Sequence, residues 1–345
     1  MKYSVYVILA AILVFSFAAA DPRPVPDKKS SAIAADALII KITCTSARDF
    51  SEGLAAVQSK GLWGYINKKG ECAITPQFDG AWDFHEGLAK VKIGNDVSAK
   101  RGYINPSGTF AINPQFELAG DFSEGLAAAM VRGKWGYIDK TGSIAVTPQF
   151  DVAYPFHEGL AKVRIGDEHS GRRGFIDKKG RIVINPRFDL AGDFSNGRAM
   201  AIIHTASDEY GDRLAQKCGY IGKSGDFVIA PQFDIAHGFS QGLAAVVTGG
   251  TPDEFGFLAG GRTGYIDTAG AVVITPRFDA GRQFTEGLAA VRTGSKWGYI
   301  DKTGATVIAA VYDDAAAFSD GLAQVVENTG KGYVNRTGKF VLVFP

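Results

Sequence analysis

Ten carboxylates recur at fixed places in this chain and are its most regular chemistry-bearing groups. Asp79, Asp151, Asp189, Asp234 and Asp279 each follow a phenylalanine, while Glu52, Glu86, Glu124, Glu158 and Glu286 each precede a glycine. Paired carboxylates can divide general-acid and general-base work between them. Their even recurrence argues otherwise, because an active site needs one asymmetric constellation. The simpler reading is that each one caps or turns its own unit. Groups that differ between copies are more informative. Asp167, Glu168, Asp208, Glu209, Tyr210, Arg213, Asp253, Glu254 and Phe255 fall in the longest stretches between regular segments. That mixture of charge and aromatic surface suits a binding face for a protein, peptide or glycan. The alternative is a secreted hydrolase or lyase using carboxylates such as Asp208, Glu209, Asp253 and Glu254 on a polysaccharide.

Other chemistry finds little support. His169 and His204 lie in long connections near Asp167, Glu168 and Asp208, a grouping that would suit at most a weak metal site. His85 and His157 occupy equivalent places in a duplicated stretch, where inheritance explains them better than shared chemistry. Cys44, Cys72 and Cys218 form no disulfide framework, and none sits in a CxxC pair. The glycines at Gly94 and at Gly249-Gly250 lack the strand-loop-helix setting of a phosphate-binding loop. Neither a metal nor a cofactor is expected.

The elements that must position these groups are set by an eightfold repeat, which fixes the fold class. The octet Trp135-Gly136-Tyr137-Ile138-Asp139-Lys140-Thr141-Gly142 recurs as Trp63–Gly70, Arg101–Gly108, Arg173–Gly180, Cys218–Gly225, Thr263–Gly270, Trp297–Gly304 and Lys331–Gly338. A second anchor begins at Phe50, Phe84, Phe122, Phe156, Phe194, Phe239, Phe284 and Phe318, at spacings of 34, 38, 34, 38, 45, 45 and 34 residues. A third, of the form Pro-Gln-Phe-Asp, closes the units, as at Pro148–Asp151.

Each unit reads as strands. In Gly287-Leu288-Ala289-Ala290-Val291 the fourth residue becomes Lys90, Lys162 or Gln324 elsewhere, which places a Leu/Lys face half exposed and an Ala/Val face inward. Trp135–Ile138 is the next strand, with Gly136 leaving room for a close neighbour. Asp139–Gly142 is a hairpin turn, with Asp accepting backbone hydrogen bonds and Gly left-handed. Ile144–Val146 returns, and Pro148 stops it because proline cannot donate to a ladder. The segment from Phe150 to Phe156 reads as a fourth short strand or a single helical turn. No stretch carries sustained helical periodicity, so the class is all-β.

The combination of Lys-Trp-Gly-Tyr-Ile-Asp-Lys-Thr-Gly, Phe-Ser-Glu-Gly-Leu-Ala and Pro-Gln-Phe-Asp resembles the WG repeat family of bacterial proteins, over roughly residues 42–345. Only the first, third and seventh octets keep the Trp. The resemblance implies a β-repeat scaffold, common in exported or surface-associated proteins, and implies no catalytic residues.

Two architectures bury such units: a ring of β-propeller blades, or an open β-solenoid stack. The strand rhythm favours the propeller-like ring. Residues Ile42 to Phe50 look like a worn closing segment that would complete the eighth unit, and the apolar Phe340–Phe344 strand makes a poor exposed cap.

The N-terminus reads as a cleaved signal peptide over residues 1–20, with Lys2, an apolar run and the Ala18-Ala19-Ala20 cleavage site. A Pro-rich linker over 21–36 follows, then a single repeat domain over 37–345. The expected location is periplasmic or extracellular. Beyond the leader, 36 basic residues balance 36 acidic ones, so no long-range field draws in nucleic acid or an anionic membrane.

Overall fold

A computed structural model describes residues 4–9, 38–43, 46–48, 51–67, 71–94, 98–168, 170–203, 217–252, 258–319, 321–328 and 330–344. Every regular element among them is a β-strand, and no helix is long and apolar enough to cross a membrane. Eight four-stranded antiparallel sheets follow one another along the chain. The third sheet shows the plan. A short inner strand, Leu118–Ala119, pairs with a second strand, Leu126–Val131; the third, Lys134–Asp139, comes next, and Ile144–Phe150 is the outer strand. The arrangement is the propeller-like all-β fold that the repeats imply. The segment after each Pro-x-Phe-Asp is a short strand, not a helical turn.

Each sheet is built from one contiguous stretch. Ser46–Ala47 is the inner strand of the first sheet, paired with Leu54–Ser59. The eighth sheet runs from Asp314–Ala315 to Phe340–Phe344 without it. The expectation that Ile42–Phe50 completes the eighth unit is therefore corrected. Ser4–Leu9 pairs with Leu38–Thr43 in a separate two-stranded sheet. Residues 21–36 lie outside the described residues.

Local sequence explains the plan. The Asp139 carboxylate accepts hydrogen bonds from the backbone N–H of Thr141 (2.9 Å) and Ser143 (3.0 Å) and from the Thr141 hydroxyl (2.6 Å). Gly142 closes the turn at φ 84°, a conformation that glycine adopts without strain. Pro148 does not end its strand. It lies within Ile144–Phe150, at a bulge where the five residues Val146 to Phe150 span what Trp135 to Tyr137 covers in three: Trp135 pairs with Phe150 and Tyr137 with Val146. The missing donor is tolerated because this is the edge strand. There it also blunts an edge that leaves Ile144 half exposed.

The second correction concerns the Leu/Lys face. Where neighbours cover a sheet on both sides, both faces of the second strand are buried: Ala127, Ala128 and Ala129 in the third sheet, and Leu160 and even Lys162 in the fourth; in the eighth sheet Gln324, at the place of Lys162, is exposed. Consecutive sheets meet through one repeated joint. The Tyr137 ring packs at 4.8 Å on Phe156 of the next sheet, and its hydroxyl donates to the Tyr154 carbonyl at 2.7 Å. The same ring contact recurs at Tyr65–Phe84, Tyr103–Phe122, Phe175–Phe194, Tyr220–Phe239, Tyr265–Phe284 and Tyr299–Phe318. The core is thus a series of small clusters between sheets.

Candidate binding site

The repeated glutamates prove to be fasteners. Glu124 sits at φ 53° in the turn between inner and second strands, a left-handed position that costs a non-glycine residue about 1 kcal/mol or more. From there its carboxylate accepts the Gly159 N–H of the next sheet at 3.0 Å and meets Lys178 at 3.0 Å. Glu52 reaches Gly87, Glu86 reaches Gly125, Glu158 reaches Gly197 and Glu286 reaches Gly321 in the same way. Asn196 and Gln241 take over with their amide oxygens, to Gly242 and Gly287. Each carboxylate therefore caps the following unit, not its own.

This fastening has a pH signature. Partial burial alone would raise the Glu86 and Glu124 pKa values. The lysine and backbone donors outweigh it and hold both below the ordinary 4.5. Depressed carboxylates stabilise the fold above their unfolded pKa, and that contribution is lost as pH falls through the folded value. Thermal melting is expected to drop below about pH 4.5. A Glu86→Gln/Glu124→Gln double variant, which keeps the acceptor as Gln241 does, should show a flatter acid limb. An unchanged limb would mean that these groups carry no such linkage.

The aspartates after phenylalanine brace the opposite end of each sheet. Asp79, Asp151, Asp234 and Asp279 accept the N–H of Gly94, Gly166, Gly250 and Gly294, at 2.7–2.9 Å, where the second strand leaves the sheet. Buried Asp189 pairs with Arg172, and Asp234 with Lys217. The long connections leave from this same end because they all join second to third strands. In the sixth sheet the connection is an extension of the hairpin itself, Leu243–Pro252 paired with Leu258–Asp267.

Of the residues singled out in those connections, Asp167 and Glu168 are exposed. Asp167 serves as a turn device, accepting from the Ser170 N–H (2.8 Å) and hydroxyl (2.6 Å). Asp208, Glu209, Tyr210, Arg213, Asp253, Glu254 and Phe255, with His169 and His204, lie outside the described residues. Among the described residues no group of three or more His, Cys, Asp or Glu could hold a metal. The Cys218 thiol is buried, and burial pushes its pKa up.

A second set of unlike groups was missed in the sequence. The third residue of the inner-strand segment, two before its phenylalanine, is Arg48, Trp82, Gly120, Tyr154, Gly192, His237, Arg282 and Ala316 in successive sheets. Six of these backbone carbonyls accept the preceding sheet's tyrosine hydroxyl, from Tyr65 to Trp82 through Tyr299 to Ala316. The backbone is held alike while the side chains differ. Charged partners gather beside them. Lys90 lies 4.7 Å over the Trp82 ring and 3.2 Å from Asp121 of the next sheet. Lys162 lies 4.1 Å over Tyr154 and 3.2 Å from Asp193. Arg282 meets Trp297 and Asp314. These charges converge across sheets: burial raises the Tyr65 pKa, and the Asp83 and Asp121 carboxylates push the same way against Arg48. Superposing the eight copies in sequence exposes this variation; reading for motifs hides it.

Eight tandem four-stranded sheets, locked by a repeated aromatic joint and bearing unlike side chains on the inner strands, define a propeller-like β-repeat scaffold. The sequence profile of the WG containing repeat matches at residues 37–63, 63–95, 102–135, 135–168, 174–203, 219–251, 264–297 and 297–331. The chain belongs to the WG repeat family. No curated protein sequence matches it. Among solved structures, the crystal structure of the eukaryotic initiation factor is similar over 88% of this chain and 88% of that one, at 12% identity and a TM-score of 0.56. The β-propeller domain of the Trilobed protease from Pyrococcus furiosus is 9% identical over 76% of this chain and 99% of that one, with a TM-score of 0.42. The Pyrococcus horikoshii acylaminoacyl peptidase is 8% identical over 82% and 56%, also at 0.42. At these identities the likeness is one of fold alone.

Proposed function

We propose that this protein is an exported, non-enzymatic scaffold that binds a protein, peptide or glycan at the end of the ring carrying the long connections. The supporting observation is how its carboxylates are used. Those that recur hold one sheet to the next or brace a connection, while unlike groups gather at the inner strands and in the long connections. Insertions gathered on one face are how repeat proteins build binding surfaces. Export rests on the signal-like residues 1–20.

The test is a panel of purified glycans and peptides offered to the purified chain, scored for both binding and turnover. Binding without turnover is expected, and turnover of a glycan would reject the scaffold reading in favour of a hydrolase or lyase. Removing residues 250–260 joins Gly249 to Gly261 between the paired Thr248 and Arg262. Gly-Gly is a favoured two-residue hairpin loop, so the fold should survive with weakened binding. Equal binding by this variant would move the site away from the sixth connection.

A further inference from the structure

We propose that the inner strands of the third to sixth sheets form a docking arc for an extended acidic peptide with apolar side chains. This deepens the scaffold reading and rests on it.

The arc is built from one position in the repeat, the residue directly after each bracing acid. In the third to sixth sheets that residue is Leu118, Val152, Leu190 and Ile235. Leu118, Leu190 and Ile235 are 40%, 46% and 41% exposed, and Val152 is half-buried. One exposed aliphatic means little on a protein surface. Four at the same place on consecutive sheets stand side by side, and a contiguous apolar row marks an interaction site. The remaining sheets carry Ala280, Asp314, Ser46 and Gly80 there, so the row covers one half of the ring only.

The row continues outward from the inner strands. Directly paired residues share a face of the sheet: Leu118 pairs with Met130, Leu190 with Ile202 and Ile235 with Val247. The acids that precede the row brace the second strands where they leave the sheets, so the row lies at the end from which the long connections depart. An extended chain presents alternate side chains to one surface, which suits a row set out in regular steps around the ring.

Charge decides the occupant. Val152 pairs with Arg164, and Ala280, in the seventh sheet beside the arc, pairs with Arg292. Neither arginine is needed to neutralise the acid near it. The Lys134 ammonium lies 2.6 Å from Asp151 and holds its carboxyl below the ordinary 3.8, with the Gly166 N–H and Arg164 adding to the pull. The Gly294 N–H and Arg262 do the same for Asp279, and Arg292 adds to them. Two cations for one carboxylate leave positive charge beside the apolar row. A ligand that buries aliphatic side chains and brings carboxylates answers both features. A neutral sugar answers neither, because aliphatic side chains offer its hydroxyls no hydrogen-bond partner.

The experiment is fluorescence anisotropy of labelled dodecapeptides on the full chain. Acidic probes carry leucine at every second or third place among glutamate and glycine; matched probes replace the glutamates by lysine or the leucines by serine. At least one acidic leucine probe should bind, more weakly as salt is raised, and its matched probes should bind at least roughly tenfold less tightly. Leu190→Ser/Ile235→Ser should weaken that binding by a similar factor. Both side chains are exposed, so melting should barely change. Leu118→Ser tests the row separately should the double variant fold poorly. Val272→Ser/Val273→Ser, which removes the 59% and 45% exposed valines of an outer strand, should bind as the parent does. Failure of every acidic leucine probe, equal binding of its lysine counterpart, or undiminished binding by a well-folded row variant would each overturn the proposal. Any of these, found together with a glycan or other peptide whose binding falls on removing residues 250–260, would leave the scaffold reading standing. Cleavage of a probe would instead defeat that reading.

Discussion

Phe156→Ala is expected to cost about 3–5 kcal/mol of stability, the range for truncating a buried aromatic. Phe156 is fully buried and meets Tyr137 at 4.8 Å across the joint between the third and fourth sheets. The loss removes that contact, and the vacated space lies between two sheets that the Glu124 and Tyr154 bonds keep from closing. Urea unfolding measures it. Tyr137→Phe, in contrast, removes one hydrogen bond and should cost about 1 kcal/mol. Phe175 already stands at that place in the fourth sheet and packs on Phe194 at 4.9 Å. A similar cost for both variants would mean that the hydroxyl, not ring packing, dominates the joint.

Gly136→Ala should be damaging despite adding a single methyl. A Cβ there would lie 2.4 Å from the Val146 carbonyl oxygen and 2.7 Å from the Pro148 nitrogen. Both are backbone atoms, so no side chain can rotate away, and the bulged outer strand must detach or shift. The expected cost is about 3 kcal/mol, the upper part of the overpacking range. Gly120→Ala provides the contrast, since its neighbours lie at 3.7 Å or beyond and little change is expected. Equal melting temperatures for the two variants would contradict this difference between close approach and open space.

What the sequence made legible was local. The Asp139–Gly142 turn, the close approach at Gly136 and the all-β class follow from residues a few positions apart. Misreadings arose where the deciding partner lies one sheet away. Glu124 looks like a cap for its own turn because its true partner, the Gly159 N–H, is 35 residues on. Lys90 and Lys162 look solvent-facing because a polar residue in an alternating strand usually is. A sheet covered on both sides removes that option, and Asp121 and Asp193 supply the missing counter-charges from the next sheet. Pro148 looks like a stop because ladder donation is assumed, whereas an edge strand with a bulge does not require it. For the site, the charged long connections stand out in the sequence, yet Asp167 folds its own loop through Ser170. The variable inner-strand position from Arg48 to Ala316 was visible only by setting the copies side by side.

Hydrogen exchange at the third-strand amides, from Tyr65 in the first sheet to Tyr299 in the seventh, tests most directly whether the eight sheets form one interlocked body. Sheets of four short strands gain much of their stability from neighbours, and the Tyr–Phe contact and the Glu–Gly fastener recur along the ring. In Phe156→Ala, protection should therefore fall by a similar factor in the first, third, fourth and seventh sheets alike. Loss confined to the third and fourth sheets, with Tyr65 and Tyr299 amides as protected as before, would contradict a single cooperative ring and describe a stack of independent units.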